Sequence, residues 1–126
     1  MSDRTFLSWP FFDDSHRAFA HALEAWANTA EEGWTNASHA SHLDVDAACV
    51  ARVRQLGGAG WLANAVPEAY GGARAQLDVR TLCLTRETLA RHDGLADFVF
   101  AMQGLGSGPI SLYGSEALRS RYLPRV

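Results

Sequence analysis

Few side chains in this sequence have both the type and the spacing for reactive chemistry. His39 and His42 form an H-x-x-H pair, the spacing that sets two imidazoles on one helical face for a zinc ion. No third ligand accompanies them, and their segment is rich in Thr, Asn, Ser and Gly, so a solvated surface outweighs a metal site. Cys49 and Cys83 lack C-x-x-C spacing and fall inside helical patterns, which predicts buried free thiols in a reducing cytoplasm. Asn36-Ala37-Ser38 matches a glycosylation acceptor, which has no meaning without a secretory signal. The most ligand-like pattern is apolar. Phe98, Ala101, Met102 and Leu105 recur at i, i+3, i+4 and i+7 and share one helical face, which either lines a pocket for an apolar ligand or is ordinary core. Asp97 and Gln103 are the polar side chains nearest that face, and helix-end solvation suits them better than ligand contact.

Composition narrows the partners. The chain has 126 residues, 48% of them hydrophobic, enough for one domain with its own core. A net charge of -3, from 14 acidic and 11 basic side chains without a long like-charge run, argues against a nucleic-acid surface. Every basic residue is Arg, which reads as a genome-composition bias. Residues 1–10 lack the apolar run of a signal peptide, and no stretch approaches the roughly 20 apolar residues of a membrane span, so a cytoplasmic protein is expected.

The elements that must position these residues read as helices throughout. Residues 1–14 form an arm with the apolar cluster Phe6, Leu7, Trp9, Phe11 and Phe12, which needs a surface to cover. Asp13, Asp14 and Ser15 offer caps for a helix over residues 15–29, where Phe19, Leu23 and Trp26 recur at helical spacing. Residues 29–42, with Trp34 their one large apolar side chain, read as a polar connection. A second helix is expected over 45–56, capped by Asp44, with Val45, Cys49, Val53 and Leu56 inward, Arg52, Arg54 and Gln55 largely outward, and Gly57-Gly58 as its stop. The stretch 59–72 mixes turn residues with Trp61, Leu62, Val66 and Tyr70, which predicts a buried loop fixed by Pro67 and Gly71-Gly72. A third helix follows over 77–92 with a stripe of Val79, Leu82, Cys83, Arg86, Leu89 and Ala90. A very apolar fourth covers 95–104 and is loosened by Gly104, Gly106 and Gly108. Pro109 starts a short helix, and Ser115-Glu116 the last. The fold class is all-α, an orthogonal or up-down bundle of about six helices over residues 15–126.

Four motifs in order then resemble one family. G-W-L-A-N-A-V-P-E-A-Y-G-G at 60–72, Thr85-Arg86-Glu87-Thr88-Leu89-Ala90-Arg91-His92-Asp93, Gly104-Leu105-Gly106-Ser107-Gly108-Pro109-Ile110, and Tyr113-Gly114-Ser115-Glu116 with Tyr122-Leu123-Pro124 look like the N-terminal helical domain of the acyl-CoA dehydrogenase family. The match covers residues 43–126 well.

The resemblance implies a flavoenzyme of three domains that oxidises an acyl thioester to its 2,3-enoyl product. A glutamate removes the α-proton while the β-hydrogen leaves as hydride to FAD. The β-domain that holds much of the FAD, and the second helical bundle that carries the catalytic glutamate, are expected to lie outside this chain. The isolated 126 residues are then expected to be inactive. Glu24, Glu31, Glu32, Glu68, Glu87 and Glu116 read as surface, loop or capping residues, and no catalytic residue, cofactor ligand or metal ligand is assigned. By the same resemblance, Phe98, Ala101, Met102 and Leu105 would form one wall of the acyl pocket, with Ala101 leaving depth and Phe98 restricting width. Trp61 and Tyr70 would anchor the loop; Arg86 and Arg91 would be paired or solvated and not bound to CoA phosphates. The implied partners are an acyl-CoA or acyl-carrier thioester, the missing domains, electron-transferring flavoprotein as acceptor, and further copies in a homo-oligomer. Acyl-CoA oxidases and flavin monooxygenase-like relatives share this domain, and a stand-alone helical binding module is the alternative of a different class.

Overall fold

The computed structural model of the chain describes residues 3–38 and 44–126. Among them are five α-helices: α1 (Asp14–Ser38), α2 (Val45–Gly58), α3 (Val79–His92), α4 (Gly94–Tyr113) and α5 (Glu116–Tyr122). Short 3-10 turns lie at Thr5–Ser8, Trp61–Ala65, Glu68–Tyr70 and Leu123–Arg125. No strand occurs among the described residues, only an isolated bridge between Pro67 and Arg74, so the all-α class holds. Helix α3 packs on both α1 and α4, and α4 also covers α2. Leu23 and Trp34 of α1, Leu56 of α2, Leu62 of the loop, Leu89 of α3, and Ala96, Val99 and Phe100 of α4 meet in the core.

Aspartates start three of these helices. Asp13 Oδ1 accepts the His16 amide at 3.1 Å, Asp78 Oδ1 the Arg80 amide at 3.2 Å, and Asp93 Oδ1 the Ala96 amide at 2.7 Å. A carboxylate there satisfies an amide that has no intrahelical partner and faces the positive end of the helix dipole. Each cap also has a second partner. His16 is fully buried, its Nδ1 2.8 Å from Asp13 Oδ1 and its Nε2 2.6 Å from Asp78 Oδ2, so one ring bridges the caps of α1 and α3. Arg52 Nη2 donates to Asp93 Oδ2 at 3.0 Å and to the Trp34 carbonyl at 3.3 Å, with its guanidinium over the Trp34 ring.

Several elements depart from the sequence reading. The stretch expected to connect the first two helices is helical as far as Ser38, because Trp34 is buried against Trp26 at 5.6 Å and its indole donates to Gln55 Oε1 at 2.6 Å. His39 and His42 lie outside the described residues. Arg52, expected outward, is buried because Asp93 and Trp34 receive it. Asp44 stands at the N-cap of α2 without a side-chain cap bond, and Val45 is exposed. Helix α2 runs through Gly57 and Gly58, and the left-handed glycine that turns the chain is Gly60, with φ of 82°. The buried stripe of α3 is Thr81, Leu84, Thr85, Thr88 and Leu89, while Val79 and Cys83 are exposed. Threonine is tolerated inside because a hydroxyl can turn to its own helix, as Thr85 Oγ1 does to the Thr81 carbonyl at 2.8 Å. Cys49 is half-buried and, like Cys83, a free thiol. Finally, Gly104, Gly106 and Gly108 do not interrupt α4, which continues through Pro109 to Tyr113. Buried Ser107 donates to the Ala65 carbonyl at 3.0 Å, a tertiary tie that overrides low glycine propensity and merges two expected helices into one.

The loop between α2 and α3 behaves as its composition predicts. Leu62, Ala65 and Val66 are buried, and Trp61 packs edge-on against Phe19 at 5.7 Å. The Ala73 amide donates to Ala63 at 2.8 Å and the Glu68 amide to Arg74 at 2.7 Å. Gly71 is left-handed with φ of 96°, and a Cβ on Gly72 would fall 1.7 Å from the Val66 carbonyl oxygen, so no other residue fits there. Tyr70 Oη donates to Glu116 Oε2 at 2.8 Å, tying the loop to α5. The N-terminal arm is held by its backbone: Arg17 Nη1 donates to the Leu7 and Phe12 carbonyls, and Arg80 Nη1 to that of Phe11. Phe12 packs on Phe6 and His16, whereas Trp9 and Phe11 remain exposed.

Candidate functional site

Helix α4 presents a ridge between two hollows. Phe98, Met102, Leu105 and Leu112 follow one another at helical spacing and are 54%, 48%, 68% and 60% exposed, an apolar line on the outer surface. On the α3 side lies a cavity of about 270 Å³. Helix α4 contributes Phe100, Ala101, Gly104, Leu105 and Gly108 to it; Leu82 and Arg86 of α3, with Leu77 and Ala65 from the preceding loop, form the other wall. A Cβ on Gly104 or Gly108 would meet nothing within 4 Å, so these two positions leave the cavity open along the helix. On the opposite side, a cavity of about 220 Å³ is lined by Met102, Gln103, Gly106, Ser107 and Ile110 of α4 and by Tyr122, Leu123, Arg125 and Val126.

The four residues expected to share a pocket wall are therefore divided. Ala101 and Leu105 line the larger cavity, Met102 lines the smaller one, and Phe98 stands on the ridge outside both. A spacing of i to i+7 confines residues to one broad face, but a ridge splits that face into two slopes. Leu77, Leu82 and Ala65 were not foreseen as lining residues. Leu82 and Arg86 stand at i, i+4 on α3, the signal in the sequence that both reach the same surface.

The charges are mostly engaged. Arg86 forms a fork with Asp97, Nε to Oδ1 at 2.8 Å and Nη2 to Oδ2 at 2.8 Å. Those hydrogen bonds hold the guanidinium above its ordinary value. Arg91 pairs with Glu24 at 2.6 Å and with Glu87 at 2.9 Å, as expected of a structural arginine. The hydrogen bond from Arg91 lowers Glu24 below the usual carboxylate value. His92 sits between Glu31 at 2.7 Å and Glu24 at 3.2 Å, and Glu116 receives Tyr70 and Ser120. Among the described residues lining the larger cavity, Arg86 is the ionisable one, so that cavity offers shape and apolar contact and no proton acceptor. No helix among the described residues is long and apolar enough to cross a membrane.

Comparison with known proteins converges on one family. Residues 13–126 match the model described as Acyl-CoA dehydrogenase, N-terminal domain. A glutaryl-CoA dehydrogenase of Desulfococcus multivorans is 29% identical over 94 residues, 74% of this chain and 22% of that protein. Probable acyl-CoA dehydrogenases of Mycobacterium leprae and Mycobacterium tuberculosis are 38% and 37% identical over 71 residues, 56% of this chain and 18% of each relative. The chain thus spans about a fifth of the length of the curated relatives it matches.

Proposed function

The chain belongs to the acyl-CoA dehydrogenase family, as its N-terminal domain, and from that membership we propose that the cavity between α3 and α4 receives the acyl tail of a thioester. The observation that carries this reading is the pairing of small residues, Ala101, Gly104 and Gly108, with the aliphatic walls Leu77, Leu82 and Leu105. At about 270 Å³ the cavity is slightly below the roughly 300–1,000 Å³ of small-ligand clefts, a size suited to part of a ligand. Phe98 and Met102 belong to the same acyl wall only through the ridge, where they would meet other polypeptide and the tail's outer edge. Within the family this domain serves an FAD-dependent oxidoreductase that forms the 2,3-enoyl thioester, with the α-proton taken by a carboxylate.

These residues do not by themselves fit a flavin. Gly72 packs directly on the Val66 and Pro67 backbone, which leaves no room for a ligand group beside it. In this reading FAD and the catalytic base are supplied by the rest of the enzyme, and these 126 residues alone are inactive. Its own work is to bind and orient the tail and keep water from it. Electron-transferring flavoprotein as acceptor and assembly into a homo-oligomer belong to that whole enzyme.

The test is Ala101→Phe in the full-length enzyme. Filling the cavity raises KM for the longest alkanoyl thioesters by about tenfold or more relative to short ones. An unchanged chain-length profile would overturn the assignment.

A further inference from the structure

We propose that Ser107 is a positioning residue: its hydroxyl pins the weakest part of α4 to the buried loop and so sets the width of the larger cavity. The proposal rests on the acyl-tail reading of that cavity and deepens it by naming what holds its walls in place. Between Gly104 and Pro109 the helix has little support from its own sequence. Gly104, Gly106 and Gly108 lose more conformational freedom on ordering than alanine would, and Pro109 has no amide to offer the Leu105 carbonyl. The stretch is helical all the same. A tertiary bond compensates there: Ser107, only 3% exposed, donates from Oγ to the Ala65 carbonyl at 3.0 Å, while the Gly104 carbonyl of its own helix lies 3.5 Å away. Ala65 is buried as well, so the bond is made out of water and its loss leaves a buried carbonyl without that donor. The place of the bond gives it a role beyond folding. Ser107 lines the smaller cavity and Ala65 the larger one, so the bond crosses between the two hollows. Gly104 and Gly108, on either side of Ser107 in the helix, face Ala65 and Leu77 across the larger cavity. A bend of α4 at its glycines moves one of these walls against the other, and the Ser107 hydroxyl is the group that resists it.

The experiment compares full-length Ser107→Ala and Ser107→Thr enzymes with the wild type across a series of alkanoyl thioesters. Ser107→Ala raises KM for the longest tails by about tenfold relative to short ones and leaves kcat within about twofold, because the lost bond loosens a wall and not the reacting centre. Ser107→Thr keeps the hydroxyl and stays within about threefold of the wild type throughout. Amide hydrogen exchange reads the pin itself: residues 110–113 exchange about tenfold faster in Ser107→Ala, while the amides of α1 do not change. If Ser107→Ala does not fold, Gly106→Ala is added to it; a Cβ at Gly106 meets nothing within 4 Å and raises helix propensity, so the double variant folds and shows the same tail-length dependence in weaker form. A KM rise equal for short and long tails, or exchange unmoved at residues 110–113, overturns the positioning role. Failure of the underlying acyl-tail reading is distinguishable: Ser107→Ala then still speeds exchange in α4, but Ala101→Phe leaves the chain-length profile unchanged, and the role of Ser107 toward substrate falls with that reading.

Discussion

The α1–α3 seam and the α4 ridge are built by opposite means. Along the seam, His16 joins Asp13 and Asp78 at one end, while Arg91 and His92 meet Glu24 and Glu31 toward the other. Just past the end of α3, Arg52 closes on Asp93 and Trp34. Along the ridge, Phe98, Met102, Leu105 and Leu112 face outward and are each about half exposed or more. The seam holds the fold together through groups that lose much if one partner is deleted. The ridge side chains are exposed and contribute little to the fold.

The comparison breaks most sharply at Arg52. Arg52→Ala leaves the Asp93 carboxylate, only 8% exposed, without its cation and is expected to cost about 3–5 kcal/mol, read as a shift in the denaturant midpoint. His16→Ala removes two short hydrogen bonds at a fully buried site and is expected to cost about 2–3 kcal/mol by the same measurement.

Asp78 adds a pH signature of about 1 kcal/mol. Burial opposes its charge, but hydrogen bonds from His16, Thr81 and Arg80 outweigh that and hold its carboxyl below the ordinary 3.8. A depressed carboxylate stabilises the fold above its unfolded value and loses that contribution as pH falls through the lower folded value. The unfolding free-energy difference between wild type and Asp78→Asn is therefore flat above about pH 5 and shrinks on further acidification. A difference that grows toward acid would reverse the assigned sign.

The smallest effect belongs to the ridge. Phe98→Ser and Leu112→Ser each change stability by no more than about 0.5 kcal/mol, while binding of an environment-sensitive hydrophobic dye falls. A loss of several kcal/mol would show that the ridge is core and would erase the contrast.

The helices were legible in the sequence where the pattern was local. Asp13, Ser115 and the apolar spacing of Phe19, Leu23 and Trp26 all mark elements that form. The buried loop was legible because glycine and proline stood among aromatic residues that solvent would not accept. What was not legible depended on partners distant in the chain. Arg52 looks like a surface residue until Asp93 and Trp34 arrive from other helices. The threonine stripe of α3 looks polar until Thr85 turns its hydroxyl to the Thr81 carbonyl and Thr81 its own to Asp78. The candidate site was half legible: period and residue type placed Ala101 and Leu105 on a cavity, but only the packing of α3 and the loop separates them from Phe98 and Met102. Arg86 and Asp97, eleven positions apart, gave no local sign of their fork.

The imidazole of His16 closes the first turns of α1 and α3 at once. Fraying at the start of either helix breaks the His16–Asp78 hydrogen bond that joins the two caps. In hydrogen–deuterium exchange, the amides that open each of the two helices are expected to lose protection as a single cooperative unit, although more than sixty residues of chain separate them.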